Sequence, residues 1–199
     1  MSRYYSWDNI ISKSECEWII KECKQGFSRP AQIGSEANKK IIRSRMGEDY
    51  SPDEYRKANV YWVDEAIPLV SKLVTKLVYG FIHEANDAFF HYRITDHQKL
   101  QFGEYTVGGH YKYHKDTAFV DGNPVFPCRK LSVSVLLSDP KDFKGGEFLM
   151  YDGEMEPLKP LKGQGSVVVF DSRDFHKVEP ITSGVRYSLV MWATGPLFK

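Results

Sequence analysis

Residues 130–137 read KLSVSVLL and residues 166–170 read SVVVF, and these two short apolar runs decide the fold class. Similar strand-like runs occur throughout the chain after residue 88, namely FFHYRI (89–94), QKLQFGEY (98–105), EFLMY (147–151) and RYSLVMW (186–192). Turn-forming pairs separate them, at Asp121-Gly122, Gly145-Gly146, Asp152-Gly153 and Ser183-Gly184, and the glycine pair is expected to form a hairpin turn. Several short strands at this spacing predict a β-sandwich or a jelly roll.

The first half of the chain is expected to be mainly helical. Ser14 and Glu17 have the spacing of a capping box and predict the start of a first helix. Its apolar face would contain Ile19, Ile20, Cys23 and Phe27.

A second helix is predicted from Asp64, with Pro68 in its first turn, where the missing N–H costs little. Its apolar residues recur at three- and four-residue steps and are expected to pack on the core: Ile67, Val70, Leu73, Val74, Leu77, Val78 and Phe81. Residues 28–58 are polar without a sustained period and indicate a long loop, whereas Asn59–Val63 predicts a short strand.

Composition limits the class of protein. The chain has 199 residues, 42% of them hydrophobic, which is enough for one domain with a real core. The net charge of +1 argues against nucleic acid or a membrane surface as the partner. Three cysteines without a Cys-x-x-Cys pair, and no long apolar segment, predict reduced thiols and a cytoplasmic protein without a membrane span.

A candidate metal site is formed by His114, Asp116 and His176. His114 and Asp116 end the run YTVGGHYKYHKD, and residues i and i+2 of a strand point to the same face. His176 follows the apolar run Val167–Phe170 and is expected near a strand end. Two imidazoles and one carboxylate form the facial triad of non-haem iron oxygenases, which leaves three of six octahedral positions for a 2-oxo acid and O₂.

Arg186 follows His176 by ten residues and shares a predicted strand face with Ser188. A buried guanidinium is suited to a bidentate grip on a carboxylate, with a hydroxyl beside it as a further donor. A ligand with a 2-oxo acid at one end and a carboxylate at the other is 2-oxoglutarate.

Three segments together resemble a known family. These are Tyr105-TVGGHYKYHKD, then RKLSVSVLLSDPKDFKGGEF, then SVVVFDSRDFHKVEPITSGVRYSLVMW, and they span roughly residues 100–195. The chain is similar to the iron(II)/2-oxoglutarate-dependent oxygenases of the prolyl 4-hydroxylase type, especially the PKHD-type hydroxylases. The first half of the chain carries no motif that aligns with this family.

The resemblance implies a fold and a set of roles. The fold is α+β with a mainly β core, a double-stranded β-helix (a cupin-like jelly roll) with flanking N-terminal helices. It implies one oxygenase domain over residues 1–199, with 1–88 as a largely helical support region and 89–199 as the catalytic core. His114, Asp116 and His176 match the iron ligands, Arg186 the residue that pairs with the distal carboxylate of 2-oxoglutarate, and Tyr105 and Ser188 further cosubstrate contacts.

The implied function is hydroxylation of a C–H bond with conversion of 2-oxoglutarate and O₂ to succinate and CO₂, with ascorbate as a candidate reductant. The resemblance favours a prolyl residue in a peptide or protein as the substrate. A free amino acid or another small metabolite is the first alternative, and a non-catalytic metal-binding cupin is an alternative of a different class. The sequence does not determine the oligomeric state.

Overall fold

Two facing β-sheets with helices on one side organise the chain. The computed structural model describes residues 4–31, 52–63, 68–117, 119–120, 123–124, 126–151, 153–154 and 156–198. The helices are α1 (Lys13–Cys23), α2 (Pro52–Tyr55) and α3 (Pro68–Ala85), and α3 continues into a π-helical turn at Asn86–Phe90. The strands are β1 (Tyr4–Trp7), β2 (Ser28–Pro30), β3 (Arg56–Lys57), β4 (Asn59–Trp62), β5 (Asp96–His97), β6 (Gln101–Tyr105), β7 (His110–His114), β8 (Phe119–Val120), β9 (Asn123–Pro124), β10 (Cys128–Leu136), β11 (Phe143–Gly145), β12 (Phe148–Tyr151), β13 (Val167–Asp171), β14 (Phe175–Val178), β15 (Ile181–Gly184) and β16 (Arg186–Gly195).

The larger sheet has the strand order β1-β13-β10-β16-β6-β4-β2, and β5 also pairs with β16. The smaller sheet has the order β12-β14-β7-β3, and two further pairs are β11-β15 and β8-β9. All of these pairings are antiparallel. This arrangement confirms the predicted mainly β double-stranded β-helix with flanking helices.

The period-two alternation of β10 explains why the larger sheet has two different faces. Leu131, Val133 and Val135 are fully buried against the helices, together with residues of the neighbouring strands β13 and β16. The intervening Ser132 and Ser134 point to the opposite face, towards the smaller sheet. One sheet face therefore forms the core and the other forms one wall of a cavity.

Helix α1 begins two residues earlier than predicted. The capping box is formed by Ser12 and Glu15, not by Ser14 and Glu17: the Ser12 side chain accepts from the Glu15 backbone N–H, and the Glu15 carboxylate accepts from the Ser12 N–H at 2.8 Å. The predicted burial of Ile19 and Cys23 is confirmed. Phe27 lies beyond the helix and is 91% exposed, so its placement on the buried face was wrong.

Helix α3 confirms the predicted long helix but buries a narrower face. Val74, Val78, Phe81, Ile82 and Ala85 are buried, and they follow the i, i+4, i+7 repeat of a single stripe. Leu73 and Leu77 are 54% and 40% exposed, because the sheet contacts only this stripe of a wider apolar surface. The predicted start at Asp64 and the contact of Ile67 lie outside the described residues.

Two predicted elements differ in the structure. FFHYRI is not a strand: it begins in the π-helical turn, which the Asn86 side chain closes by bonding both the N–H and the carbonyl of Tyr92. Gly145-Gly146 is not a hairpin turn, because β11 pairs with β15 while β12 pairs with β14. The chain instead crosses from one strand pair to the other at this point.

The first 88 residues contribute strands as well as helices. Strand β1 forms one edge of the larger sheet, and β4 and β2 extend its other edge. Within the predicted loop 28–58 the structure describes β2, α2 and β3, while residues 32–51 lie outside the described part. The division of the chain at residue 88 stays a prediction. Among the described residues, no helix is both long and apolar enough to cross a membrane.

Candidate metal and cosubstrate site

The smaller sheet brings the two candidate imidazoles together. His114 is the last residue of β7, His176 is the second residue of β14, and the two are register partners in this antiparallel pair. Their ring centroids are 4.1 Å apart, and both side chains are buried. Residues that are 62 positions apart in sequence thus lie side by side because the strands are paired.

Asp116 completes the group from the turn after β7. Its carboxylate lies 3.7 Å from His114 Nε2 through Oδ1 and 3.5 Å from His176 Nε2 through Oδ2. One potential ligand atom from each of the three residues lies within 4.8 Å of the others. This is the spacing that ligands of a single metal ion require.

Hydrogen bonds fix the orientation of both imidazoles. His114 Nδ1 lies 2.8 Å from the Lys112 carbonyl oxygen, and His176 Nδ1 lies 3.0 Å from the Asp174 carbonyl oxygen. Because a carbonyl only accepts, each Nδ1 carries the proton and donates. Each Nε2 is left with its lone pair directed towards Asp116, which is the tautomer that binds a metal.

A second set of contacts fixes Asp116. Its backbone N–H donates to the Ser172 carbonyl at 2.9 Å, and Ser132 donates to Oδ2 at 2.7 Å. Arg129 donates to the Asp116 backbone carbonyl at 3.2 Å. The carboxylate is therefore held by β10 and the turn at Ser172 as well as by its own loop.

The charge states match the ligand role. Burial, together with the neighbouring His176, lowers the pKa of His114 well below its ordinary value, so the imidazole is neutral. Burial acts to raise the pKa of Asp116, but His176, His114, Arg129 and the Ser132 hydrogen bond outweigh it and lower that pKa. Asp116 is therefore anionic.

A cavity extends from this group of three to the residues predicted to hold a cosubstrate. Arg186, the first residue of β16, is register partner of Tyr105 on β6, and its Cζ lies 5.7 Å from the Tyr105 ring centre. Arg186, Tyr105 and Ser188 line the same cavity as His114, Asp116 and His176. The structure thus brings together all six residues singled out in the sequence.

Arg186 is 2% exposed, and burial lowers the pKa of its guanidinium. Its Nη2 has no hydrogen-bond partner among the described residues. A buried guanidinium without a full set of acceptors is costly unless a ligand supplies them. The residues present therefore fit a carboxylate-bearing cosubstrate.

The described part of the chain contains four buried, unpartnered side-chain polar atoms in all. Three belong to residues that line the cavity: Arg56 Nε, Arg186 Nη2 and Trp192 Nε1. The fourth, Gln101 Oε1, is on β6 four residues before Tyr105 and hence on the same strand face. Unsatisfied polarity is concentrated at one place in the molecule.

Several residues of this site were missed in the sequence. Tyr111 stacks on His114 with ring centres 3.4 Å apart. The guanidinium of Arg56, on β3, lies over the Tyr111 ring, with its Cζ 4.6 Å from the ring centre. Ser132 and Arg129 act on Asp116. Trp192 lines the cavity, and its ring centre lies 3.8 Å from the Arg129 guanidinium. Only the Ser-x-Ser alternation of β10 signalled a polar wall.

Other polar residues near the site make contacts within the protein. His110 has its two ring nitrogens 3.0 and 3.1 Å from the carbonyl oxygens of Gly108 and Glu54, and it does not join the three ligand atoms. Asp171 accepts from the Arg173 backbone and side chain within the segment DSRD (171–174). Within the segment 117–129 the structure describes the strand pair β8-β9 and the start of β10, while residues 118, 121, 122 and 125 lie outside the described part.

The sequence of this chain is similar to those of known proteins. Residues 100–194 match the model of the 2OG-Fe(II) oxygenase superfamily. The chain is 36% identical over 90 residues to a PKHD-type hydroxylase of Pseudomonas putida (strain W619), covering 44% of this chain and 39% of that protein. It is also 36% identical over 93 residues to a PKHD-type hydroxylase of Rippkaea orientalis, covering 47% and 41%. The match spans about two fifths of the length of these relatives.

Solved structures share the fold over almost the whole chain. A prolyl hydroxylase from Trichoplax adhaerens, solved with a peptide of the hypoxia inducible factor oxygen degradation domain, has a TM-score of 0.73 at 19% identity and covers 98% of this chain and 84% of its own. A prolyl-4-hydroxylase of Pseudomonas putida has a TM-score of 0.64 at 19% identity, covering 96% and 92%. At this level of identity the similarity concerns the fold.

Proposed function

We propose that this chain, whose residues 100–194 match the model of the 2OG-Fe(II) oxygenase superfamily, is an iron(II)- and 2-oxoglutarate-dependent dioxygenase that hydroxylates a prolyl residue in a peptide or protein. His114, Asp116 and His176 would hold the iron. Arg186, assisted by Tyr105 and Ser188, would bind the distal carboxylate of 2-oxoglutarate.

The observation that carries this proposal is the unpartnered Nη2 of Arg186 in the cavity that also contains the three ligand residues. A metal site alone needs no buried guanidinium in the same cavity, whereas a dicarboxylate bound between the two requires both a metal and a cation. This pairing favours an oxygenase over a non-catalytic metal-binding cupin.

The protein's own contribution would be to hold the three ligand side chains in fixed orientations. Bound iron(II) with 2-oxoglutarate and O₂ supplies the oxidation of a C–H bond, with formation of succinate and CO₂. The two Nδ1–H bonds to backbone carbonyls keep both imidazoles oriented, and Ser132 keeps the carboxylate oriented. Phe148 and Phe170 line the cavity beside His176 and would limit the access of water to it.

The prolyl substrate is supported by the nature of the relatives. The solved neighbours include prolyl hydroxylases, one of them bound to a peptide, and the sequence relatives are PKHD-type hydroxylases. The match covers about two fifths of the length of those relatives. The prolyl substrate is therefore a proposal for this chain.

The test is incubation with iron(II), 2-oxoglutarate, ascorbate as reductant and a panel of proline-containing peptides. We expect a gain of one oxygen on a prolyl residue by mass spectrometry, with succinate formed in step. His114→Ala should abolish both signals. Lys112→Ala is the matched control, since Lys112 is an exposed residue of the same strand and only its backbone carbonyl contacts His114.

Full activity of His114→Ala would contradict the metal assignment. Turnover of a free amino acid or another metabolite, with no peptide oxidised, would replace the peptide by the small-molecule alternative. Iron uptake without any 2-oxoglutarate turnover would instead identify a metal-binding cupin.

A further inference from the structure

Arg56 is a second cation in the cavity, and neither the metal nor the cosubstrate accounts for it. It lies on β3, at the edge of the sheet that carries His114 and His176, and is the register partner of Tyr111. Its guanidinium is 4.6 Å from the centre of the Tyr111 ring and lines the cavity together with the metal ligands. It therefore reaches the site from a different wall than Arg186, which enters from β16 of the larger sheet.

The Arg56 side chain has unused hydrogen-bonding capacity. Its Nε is buried and has no partner among the described residues. Burial acts to lower the pKa of this guanidinium, but the neighbouring Tyr105, Tyr111 and Asp116 raise it, so the group remains a cation. Such a donor is expected to face an anionic or carbonyl oxygen of a ligand.

The charges of the cavity do not balance without a further anion. The charged residues that line it are Arg56, Arg186 and Asp116. Iron(II) and 2-oxoglutarate carry two charges each, of opposite sign, so loading the site with both leaves the excess positive charge of one guanidinium. Arg129, 3.9 Å from Asp116 Oδ1, adds positive charge and compensates none of it. Arg56 is partly buried, and a partly buried, uncompensated cation favours binding of an anion.

A second unpartnered donor belongs to another residue that lines the cavity. Trp192 lines the cavity, and its Nε1 is also unpartnered within the described part of the chain. A carboxylate has enough lone pairs to accept from both a guanidinium and an indole N–H. A neutral internal peptide carbonyl would satisfy hydrogen bonds but would leave the charge of Arg56 unbalanced.

We propose that Arg56 binds a carboxylate of the primary substrate, so that the substrate is a free amino acid or a peptide whose C-terminal carboxylate lies next to the oxidised residue. This inference rests on the proposed oxygenase function and restricts the substrate, whether a peptide or the small-molecule alternative, to one that carries such a carboxylate. The shared chemistry is a carboxylate close to the target C–H bond, and an internal prolyl residue far from the chain end lacks it.

The test measures binding, not turnover. The full chain is loaded anaerobically with Mn(II) and N-oxalylglycine, an unreactive analogue of 2-oxoglutarate, and titrated by calorimetry with matched acids and amides. One pair is L-proline and L-prolinamide, and the other is N-acetylglycyl-L-proline and its amide. We expect at least one acid to bind about tenfold or more tightly than its amide, because a guanidinium makes charge-assisted hydrogen bonds to the acid alone. The pair that shows the preference identifies the source of the carboxylate.

The variants assign this preference to Arg56. Arg56→Gln should abolish the difference between acid and amide, and Arg56→Lys should retain part of it, since the charge is kept while the fork is lost. Lys57→Gln, which removes one positive charge from the adjacent exposed position of β3, should leave the preference intact. Unchanged Mn(II) affinity in each variant shows that the three ligand residues are still in place.

Equal binding of acids and amides by the wild-type chain, or no binding of either, would overturn the proposal for Arg56 alone. A loss of N-oxalylglycine affinity in Arg56→Gln with the acid preference retained would also overturn it and assign Arg56 to the cosubstrate. If the wild-type chain bound neither Mn(II) nor N-oxalylglycine, the proposed function would fail together with this inference.

Discussion

At the scale of single residues, the orientation of Asp116 depends on one hydroxyl group. Ser132 is fully buried and donates to Asp116 Oδ2 at 2.7 Å. Loss of such an outer hydrogen bond commonly weakens metal binding by about 10- to 100-fold. We expect this reduction for Ser132→Ala, measured as Mn(II) affinity from the signal of the free ion in electron paramagnetic resonance. Ser134→Ala, on the same face of β10, is the control, and an equal loss in both variants would contradict the role of Ser132.

Gly146 is required for the position of Arg186. It has a φ of 69°, and a Cβ added there would collide with Ile181 Cδ1 and lie 3.2 Å from Arg186 Cδ. We expect Gly146→Ala to raise the KM for 2-oxoglutarate by about 10- to 100-fold through displacement of the guanidinium, with Mn(II) affinity unchanged.

The control for this variant is Gly153→Ala. Gly153 also has a positive φ, of 100°, but an added Cβ meets no atom of the described chain within 4 Å. Backbone strain is therefore common to the two variants, and only Gly146→Ala adds the collision. A similar KM for both would mean that the contact with Arg186 has no effect.

Sequence reasoning identified the three candidate ligand residues but not the residues around them, and the reason is physical. His114, Asp116 and His176 are chemically distinctive, and their strand positions follow from period-two alternation. Arg56 and Ser132 are common residue types whose role depends on which strands become neighbours, and β3 is a two-residue strand in a segment without a periodic signal. Such contacts are set by tertiary pairing.

At the scale of elements, the packing of α3 is the clearest test of the core. Ile82 is fully buried between this helix and the larger sheet, whereas Leu73 on the same helix is 54% exposed. We expect Ile82→Ala to lower the free energy of unfolding by about 2–5 kcal/mol, since it removes buried methylene groups and leaves a cavity. Urea unfolding followed by circular dichroism measures this change.

Leu73→Ala is the matched control and should change the stability by less than about 1 kcal/mol. The two residues carry similar apolar side chains on one helix, so the contrast isolates burial. Equal destabilisation by both variants would show that α3 buries the wider face predicted from its periodicity.

The same element shows how far periodicity predicts a helix. The three- and four-residue repeat correctly predicts a long amphipathic helix, but an apolar stripe that is wider than the contact does not reveal which edge is buried. The capping box has a similar ambiguity, because Ser12 with Glu15 and Ser14 with Glu17 have the same spacing. Only the structure shows that the Ser12 pair forms the cap.

At the scale of the whole molecule, the two faces of the larger sheet have different roles: one packs in the hydrophobic core and the other lines the cavity. The outer face of the larger sheet is apolar and packs against α1 and α3. The inner face of the larger sheet carries Ser134, Arg186 and Ser188, and the smaller sheet opposite it carries His114 and His176. The strand runs after residue 88 allowed this β architecture to be predicted, whereas the strands β1, β2 and β3 of the first half were not recognised, since they are short and lack alternation.

The central claim is that one cavity binds iron(II) through His114, Asp116 and His176 and 2-oxoglutarate through Arg186. Anaerobic titration with iron(II) and 2-oxoglutarate tests it most directly, since chelation of the metal by a 2-oxo acid gives a weak visible charge-transfer band. We predict this band for the wild-type chain and for His83→Ala, an exposed histidine outside the site, and its loss in His176→Ala and in Arg186→Gln at the same ligand concentration. A wild-type chain without the band, or a His176→Ala variant with an unchanged band, would contradict the account.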